Sequence, residues 1–400
     1  MSQPTILPAV LSNARLPALV GGVALLALSV VAILFGSTGD FFRAYLLGYF
    51  LILGLSLGSM GILFIHHLVG GAWGFVIQRQ LEAATRALPF VAIAFLPILG
   101  HVLLSEHPIY HWAEPHAADH DALLAHKAPY LNPVAFAIRA AIYFAVWGWL
   151  VVTLNRLSRR QDESGDERLA NRLGRISGPG IVLYMFTMTF AAFDWAMSLD
   201  PHWFSTIYGV IFVVGQVLSS MAFMIVVLAF TRRNAELGAA VTPDRLHDLA
   251  KLMFAFVCLW AYVQLSQFLI IWYGNLPEEG IFYHLRMHGG WQYVGILLVL
   301  CQFVFPFLIL LSRWPKRSMR WAPRIAAFIL AVRLIDLYYY LMPHPDPGTH
   351  EAHLHLHWVH LTAPLGLLAL WVFVFLRGLG DRPLLPHGDP RWKEKLSHVH

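Results

Sequence analysis

The chain has 400 residues, of which 58% are hydrophobic and only 13% are charged, and its formal net charge is +5. Soluble domains carry about a quarter charged residues, so this composition excludes an ordinary soluble protein and predicts a polytopic membrane protein. The positive charges lie in connections between apolar stretches, which argues against nucleic acid as a partner. The two cysteines lie within apolar stretches, so the sequence has no cysteine cluster to hold an iron–sulfur centre.

Apolar stretches long enough to cross a bilayer follow one another along the whole chain. Their approximate bounds are 17–36, 45–77, 89–105, 133–154, 179–197, 207–231, 250–274, 289–312, 321–341 and 359–377. The first is long enough to be a retained helix rather than a cleaved signal peptide. The second, if helical throughout, would be about 50 Å long and would have to tilt or project. The sequence therefore predicts an all-α integral membrane protein with ten transmembrane helices.

Most of the 28 Lys and Arg residues lie near the N-terminus, in the C-terminal tail and in connections after even-numbered stretches. Because positively charged loops stay in the cytoplasm, this distribution predicts that both termini are cytoplasmic. The opposite connections are acidic and hold most of the 21 histidines, chiefly at 105–132 and 342–360. An acidic, histidine-rich outer face suits a docked partner protein or a site of proton traffic.

The segment "AAFDWAMSLDPHWFSTIYG", residues 191–209, places Asp194 at the end of an apolar stretch, and Asp200 and His202 follow in a turn. Ionisable groups at membrane depth are costly, so such a group is a candidate functional residue. Asp194 either forms a structural hydrogen bond to a neighbouring helix or accepts and passes a proton. On the second interpretation, these three residues form the outer half of a proton path.

Two further polar pairs lie within apolar stretches. His66 and His67, in "FIHHLVGG", lie slightly to the cytoplasmic side of the middle of their stretch, and both proton relay and core hydrogen bonding are open for them. Arg333 and Asp336, in "AVRLIDL", are three residues apart, so they share one helix face and can form an ion pair. That pair is either purely structural or, with the two histidines, part of the inner half of the path.

The segment "WAYVQLSQFLIIWYGNLPEEG" indicates a different kind of site. Gln264 and Gln267 are three residues apart, and Trp272 and Tyr273 lie above them towards the outer face. Amide donors with aromatic walls suit the flat, carbonyl-bearing head of a quinone, while ordinary helix packing is the alternative. A haem between paired histidines is not favoured by the spacing of His66, His67 and His101.

Three segments carry a resemblance to a known family: "FDWAMSLDPHWFSTIYG", "HHLVGGAWGFVIQRQLEAATRALP" and "FLIIWYGNLPEE". In them the chain resembles the NrfD/polysulfide reductase family of membrane subunits, and within it the ActF branch of bacterial alternative complex III, a quinol:cytochrome c oxidoreductase. The resemblance covers nearly the whole chain and implies a location in the bacterial inner membrane. It also implies two back-to-back four-helix bundles, 45–197 and 198–341, with peripheral segments 1–44 and 342–400.

The resemblance further implies that the subunit holds no redox metal or covalent cofactor, with quinone or menaquinone and lipids as its ligands. The implied partners are a sister NrfD-like membrane subunit, an iron–sulfur subunit and a multihaem cytochrome c subunit on the outer face, with a terminal oxidase as a further partner. Neither a catalytic residue nor a metal ligand is expected in this chain itself.

Three functions remain open at this point. The first is a quinol:cytochrome c oxidoreductase subunit that conducts protons and contacts quinol. The second is a structural anchor for extrinsic redox subunits, which leaves the buried charges unexplained. The third is a secondary transporter, which would predict inverted repeats that the two halves of the sequence do not clearly contain.

The predicted topology can be tested by labelling single introduced cysteines with a membrane-impermeant reagent. Because positively charged connections face the cytoplasm, we expect cysteines near positions 120, 280 and 350 to react from outside. Cysteines near 165, 240 and 318 should react only from inside. Labelling of both 120 and 165 from the same side would contradict the ten-helix topology.

Overall fold

A computed structural model describes residues 7–345 and 351–392, so position 350, one of the labelling sites, lies outside the described residues. Helix accounts for 80% of the structure, and the described residues contain no β-strand. Within these residues, nine helices are long and apolar enough to cross a membrane. The predictions of an all-α architecture and of a multi-pass membrane protein are therefore confirmed.

The long helices are labelled α1 to α10 in chain order. They are Arg15–Leu34, Thr38–Val69, Leu88–Leu104, Pro133–Ser164, Glu167–Trp195, Tyr208–Thr231, Pro243–Gly274, Trp291–Leu311, Ala322–Leu341 and Val359–Leu379. Shorter helices occupy the connections, chiefly Gln78–Thr85 before α3 and Pro277–Met287 before α8. Helix α9 has the same 20-residue length as α1, but it carries three charged residues and is not among the nine apolar spans. A tenth span stays a prediction.

Local sequence signals explain where several helices begin and end. The Asn132 side chain caps α4 by accepting a hydrogen bond from the backbone N–H of Ala135 at 2.8 Å, and Pro133 fills the first helical position. Helix α2 ends where Gly70 adopts φ 65°, a left-handed conformation that glycine adopts without a steric penalty.

The second apolar stretch is not helical over its whole length, contrary to the long helix considered for 45–77. Helix α2 begins earlier, at Thr38, and ends at Val69, so the helix is interrupted at the adjacent glycines Gly70 and Gly71. A short turn then leads into the helix Gln78–Thr85, which counts together with α3 as one candidate membrane span, Gln78–Leu104. The glycine pair therefore separates two spans instead of bending one long helix.

Helices α2 and α6 form the centre of the molecule. The most apolar window of α2 is 100% buried and that of α6 is 89% buried, whereas the windows of α1 and α7 are 17% and 28% buried. Helices α2, α3, α4 and α5 pack in sequence, with α5 returning to α2, and α6, α7, α8 and α9 do the same. Helix α10 packs against α1 and α2.

Contacts between helix termini define the two ends of the bundle. At one end, the Arg15 guanidinium donates to the Leu376 carbonyl at 2.9 Å and that of Arg86 donates to Gly378 at 2.6 Å. We call this the tail end, and it contains residues 66–86, 155–162 and 376–392. At the opposite end, which we call the loop end, residues 105–132, 194–204 and 276–290 come together.

The contact between α2 and α6 depends on small residues. A Cβ atom at Gly58 would collide with the Gln216 carbonyl oxygen and would lie 2.5 Å from the Ser220 hydroxyl. That hydroxyl donates to the carbonyls of Gly54 and Leu55, each at 3.1 Å. Close backbone approach with interhelical hydrogen bonds is how helices associate where no hydrophobic effect drives them together.

We expect Gly58→Ala to destabilise the folded protein by about 1–3 kcal/mol, because the added methyl group must push α2 away from α6. Thermal unfolding of the purified protein in detergent measures this. The matched control is Gly100→Ala on α3, where a Cβ would meet no atom within 4 Å. Equal melting temperatures for the two variants would show that the α2–α6 contact does not limit stability.

Candidate functional site

Asp194 lies one residue before the end of α5 and is fully buried at the loop end. Its Oδ2 atom accepts a hydrogen bond from Arg139 Nε at 2.8 Å and another from the Tyr143 hydroxyl at 2.7 Å. Both donors come from α4, where a spacing of four residues places them on one helix face. Asp194 is therefore held by an ion pair and a phenol from the neighbouring helix.

Only part of the hydrogen-bonding capacity of this group is used. Within the described structure, Asp194 Oδ1 and Arg139 Nη2 are buried and have no hydrogen-bond partner. Buried polar atoms in proteins are nearly always satisfied, by protein groups or by water. The unused oxygen can accept one further hydrogen bond and the unused N–H can donate one.

A cavity of about 710 Å³ opens beside this site at the loop end. Its walls are mostly apolar, with a few polar groups at Lys127, Tyr130, Ser198, Asp200, His202 and Glu278. The apolar lining comprises Leu123, Leu131, Phe190, Phe193, Met197, Pro201, Trp203, Phe204 and Ile281. A concave, largely apolar space of this size with a few placed polar groups is what small-molecule sites have in common.

Tyr130 connects the cavity to Asp194. Its side chain lines the cavity, and the negative charge of Asp194 acts on its hydroxyl. The Arg139 guanidinium lies 3.9 Å from the centre of the Tyr130 ring and donates to the Tyr130 carbonyl at 2.8 Å. Burial, followed by the negative charge of Asp194, raises the pKa of the Tyr130 hydroxyl to about 12. The hydroxyl is therefore protonated at neutral pH and can donate a hydrogen bond.

Asp200 and His202 lie at the rim of the same cavity. The Asp200 carboxylate accepts from the His202 backbone N–H at 3.2 Å, and His202 Nε2 lies 2.6 Å from an Asp121 carboxylate oxygen. Burial alone raises the pKa of Asp121, but hydrogen bonds from His202 and from the backbone of Leu123 and Leu124 outweigh it and hold that pKa below its usual value. Asp200 and His202 of the predicted group thus line this cavity, whereas Asp194 is buried behind its wall.

Arg333 and Asp336 form the predicted ion pair on α9, and both are buried. The Trp260 indole N–H of α7 also donates to Asp336 at 3.2 Å. On α6, a Cβ at Gly215 would collide with Arg333 Nη1, so a larger residue there would displace the guanidinium. This pair belongs to a cluster among α6, α7 and α9, apart from the α4–α5 pair of Asp194.

The four residues of the predicted quinone pocket are dispersed. The Gln264 amide oxygen accepts a hydrogen bond from the Tyr340 hydroxyl, and Gln267 is buried with neither amide atom bonded within the described structure. The side chains of Trp272 and Tyr273 are 66% and 85% exposed. Trp272 lines a second cavity, of about 670 Å³, and neither glutamine contributes to its wall.

Another buried amide, which the sequence had not indicated, lies on α8, next to the helices that hold the Arg333–Asp336 pair. Gln302 is the buried residue of a π-helical turn, Val299–Val304, within α8. The turn packs against α7 and α9, and both Gln302 amide atoms have no partner in the described structure. Single π-helical turns within membrane helices are frequent at functional sites.

His66 and His67 lie at the tail end, with ring centres 5.5 Å apart. His66 packs edge-on against Phe75 with ring centres 4.8 Å apart, and both histidines are buried. His101 instead stacks on Phe42, near the start of α2, at 3.7 Å. The 24 residues from Phe42 to His66 span roughly 36 Å of helix. A haem therefore cannot be held between His101 and the histidine pair.

The tail end contains a buried ionic cluster that the sequence analysis missed. The Glu82 carboxylate accepts from Arg79 at 2.8 Å, from the Ser158 hydroxyl at 2.6 Å and from Arg382 at 3.2 Å. Arg79 also pairs with Asp162 of α4. Arg79 and Glu82 are three residues apart, as in a helical ion pair, but the sequence places them in a charged connection where a solvated role is the simpler interpretation.

Arg139, Tyr143 and Tyr130 were also missed as site residues. Arg139 was visible as a charge within an apolar stretch, and its spacing of four residues from Tyr143 was the one available signal. Which carboxylate it meets depends on how α4 packs against α5, and one chain's sequence does not contain that information.

Within the described residues, no group of three or more His, Cys, Asp or Glu side chains is arranged to hold a metal ion. No protein-family model matches the chain, and no curated protein matches it either. The family membership implied by the sequence motifs is therefore a proposal.

We expect Arg139→Gln to destabilise the protein by about 3–5 kcal/mol, because it leaves the Asp194 carboxylate buried without its cation. Thermal unfolding in detergent measures the loss, and the double variant Arg139→Gln with Asp194→Asn should recover most of it. The control is Arg156→Gln, which removes an exposed guanidinium from the same helix. If the control loses as much stability as Arg139→Gln, the buried pair is not the cause.

Proposed function

We propose that this chain is an NrfD-type membrane subunit, of the ActF branch, in a complex that oxidises quinol and reduces cytochrome c or another high-potential acceptor. Its own contribution is to bind quinol at the loop end and to carry away protons through Asp194. The observation that carries this proposal is the buried Asp194 carboxylate, with one unbonded oxygen, beside a cavity of about 710 Å³.

The chemistry of the cavity suits a quinol head group. Aromatic side chains such as Phe193 and Trp203 provide apolar walls for the ring, and the Tyr130 hydroxyl and the His202 imidazole can hydrogen-bond to its oxygens. The isoprenoid tail would extend along the exposed apolar side chains of α5, among them Phe186 and Phe190. This site replaces the pocket expected around Gln264 and Gln267.

Quinol oxidation releases protons, so a base near the ring raises the rate of oxidation. Asp194 is that base in our proposal. The Tyr130 hydroxyl relays the proton, because it accepts one from the quinol hydroxyl as it donates its own to the Asp194 carboxylate. Arg139 holds the carboxylate in place through the ion pair between the two side chains. Electrons pass to the redox centres of partner subunits.

The rest of the expected complex follows from the same family. The loop end would face outwards and meet the iron–sulfur and multihaem cytochrome c subunits, since it carries most of the histidines and few positive charges. The tail end would then face the cytoplasm of a bacterium, as positively charged connections do. The sister NrfD-like subunit would lie beside the chain in the inner membrane, and α2–α5 and α6–α9 would be the two bundles of the family.

We expect Asp194→Asn to lower quinol-driven reductase activity of the purified complex at least about tenfold, because the amide keeps the shape but cannot accept a proton. Asp194→Glu should restore part of the activity. Proton release in vesicles is measured alongside, with the subunit content of every preparation checked.

The matched control is Tyr143→Phe, which removes a hydrogen bond from the same carboxylate oxygen but leaves the titratable group. Its activity should lie well above that of Asp194→Asn. Wild-type activity and proton yield in Asp194→Asn would assign this residue a structural role and refute the proposal.

A further inference from the structure

The chain continues past α10 into a segment that folds back under the bundle. We call residues 380–392 the strap. Leu384, Leu385, Asp389 and Trp392 of the strap are all buried, with Asp389 only 1% exposed and Trp392 only 2%. A segment that follows the last helix of a membrane protein is commonly solvated. Here, these four residues are buried to the same extent as residues of the hydrophobic core.

Polar contacts hold the strap to the α2–α5 side of the molecule. Arg382 Nη1 donates to the Glu82 carboxylate at 3.2 Å, and Arg382 Nη2 donates to the Asn155 carbonyl of α4 at 3.3 Å. Further along, a Cβ at Gly388 would lie 2.5 Å from the Gln161 carbonyl oxygen, so the backbones nearly touch. The strap therefore lies across the ends of both the helix Gln78–Thr85 and α4.

The Trp392 ring, at the C-terminal end of the strap, contacts both helix groups. The Trp392 ring centre lies 5.7 Å from that of Phe75, and the Arg245 guanidinium at the start of α7 lies 5.1 Å from the Trp392 ring. Because α7 belongs to the α6–α9 group, the strap bridges the tail-end surfaces of both helix groups.

Beneath the strap lie ionisable groups that are almost fully buried. Glu82 is 2% exposed, Arg79 is 3% exposed and His67 is 5% exposed. The charged groups around Glu82 and His67 come from several elements, and they are Arg79, Arg86, Asp162, Arg382, Asp389 and Arg391. Such a cluster stays dry only while protein covers it, because hydration of its charges favours opening.

We propose that the strap is a cytoplasmic closure: it seals the Glu82–His67 cluster from water, and its release opens the tail end of the α2–α5 group. The Arg382–Glu82 contact is the latch, and Trp392 is the second attachment. This closure does not depend on the quinol reaction.

A membrane protein with ionisable groups buried at both ends of one helix group has a specific need for such a closure. Asp194 lies at the loop end of α2–α5 and Glu82 lies at the tail end. If water reached both at once, protons could cross the bilayer without doing work. A movable cover at one end lets that end exchange protons only when the cover is released.

The test measures access to the covered surface without any turnover. A single cysteine is introduced as Gln161→Cys after Cys258 and Cys301 are replaced by serine, because Gln161 is 2% exposed and its backbone lies against Gly388 of the strap. Reaction with a hydrophilic maleimide in nanodiscs should be slow. Adding Arg382→Gln or Trp392→Ala should speed it about tenfold or more, because each removes an attachment of the strap.

The matched control is Arg377→Gln, which removes an exposed guanidinium near the end of α10 and should leave the labelling rate unchanged. Glu163→Cys, two residues away and exposed, gives the rate for an open site. If Arg382→Gln fails to fold, Trp392→Ala decides.

Two outcomes overturn the proposal. One is that Gln161→Cys reacts as fast as Glu163→Cys in the otherwise native chain. The other is that neither strap variant accelerates labelling beyond the Arg377→Gln control. The access measurement is independent of Asp194, so loss of quinol activity in Asp194→Asn and loss of closure in the strap variants can be told apart.

Discussion

The structure depends on one constraint: a charge buried among apolar helices must meet an opposite charge or hydrogen-bond donors. Three carboxylates meet it in three ways. Asp194 pairs with an arginine and accepts a hydrogen bond from a tyrosine of the neighbouring helix α4. Asp336 pairs with an arginine of its own helix. Glu82 pairs with two arginines, one of them from the C-terminal segment. The contacts of Asp194 and Glu82 join separate segments and so fix how those segments pack, because leaving a buried charge unpaired costs several kcal/mol.

The same constraint also distinguishes the Asp336 pair, which is enclosed, from the Asp194 pair, for which we propose a function. The Asp336 pair is enclosed by α6, α7 and α9 and is formed within one helix turn, so it is satisfied wherever α9 goes. The Asp194 pair joins two helices and leaves one carboxylate oxygen unbonded within the described structure, and its neighbours Tyr130 and Phe193 line the cavity at the loop end. A carboxylate next to accessible space is the better candidate for proton exchange, which is why the proposed function centres on Asp194.

The prediction of a buried carboxylate in "FDWAMSLDPHW" needed only local information. An aspartate near the end of an apolar stretch, followed by Asp200 and His202 in a turn, leaves few structural alternatives. The structure does not bring Gln264, Gln267, Trp272 and Tyr273 to one cavity, because helix faces decide which side chains meet. Tyr340 of α9 uses the amide oxygen of Gln264, while Trp272 lies further along α7 beside the helix Pro277–Met287. Spacing along one helix cannot show what the facing helix contributes.

The amino-acid sequence by itself determined the all-α membrane architecture, most helix boundaries and the Arg333–Asp336 pair, because hydrophobicity, capping residues and i,i+3 spacing act over one or two helix turns. The tertiary structure decided the partners of Asp194 and Glu82. Arg139 is 55 residues from Asp194 and Arg382 is 300 residues from Glu82. Contacts at such separations depend on how helices pack, and many packings satisfy the same local pattern. Only the folded chain selects the one in which Asp194 meets Arg139 and Glu82 meets Arg382.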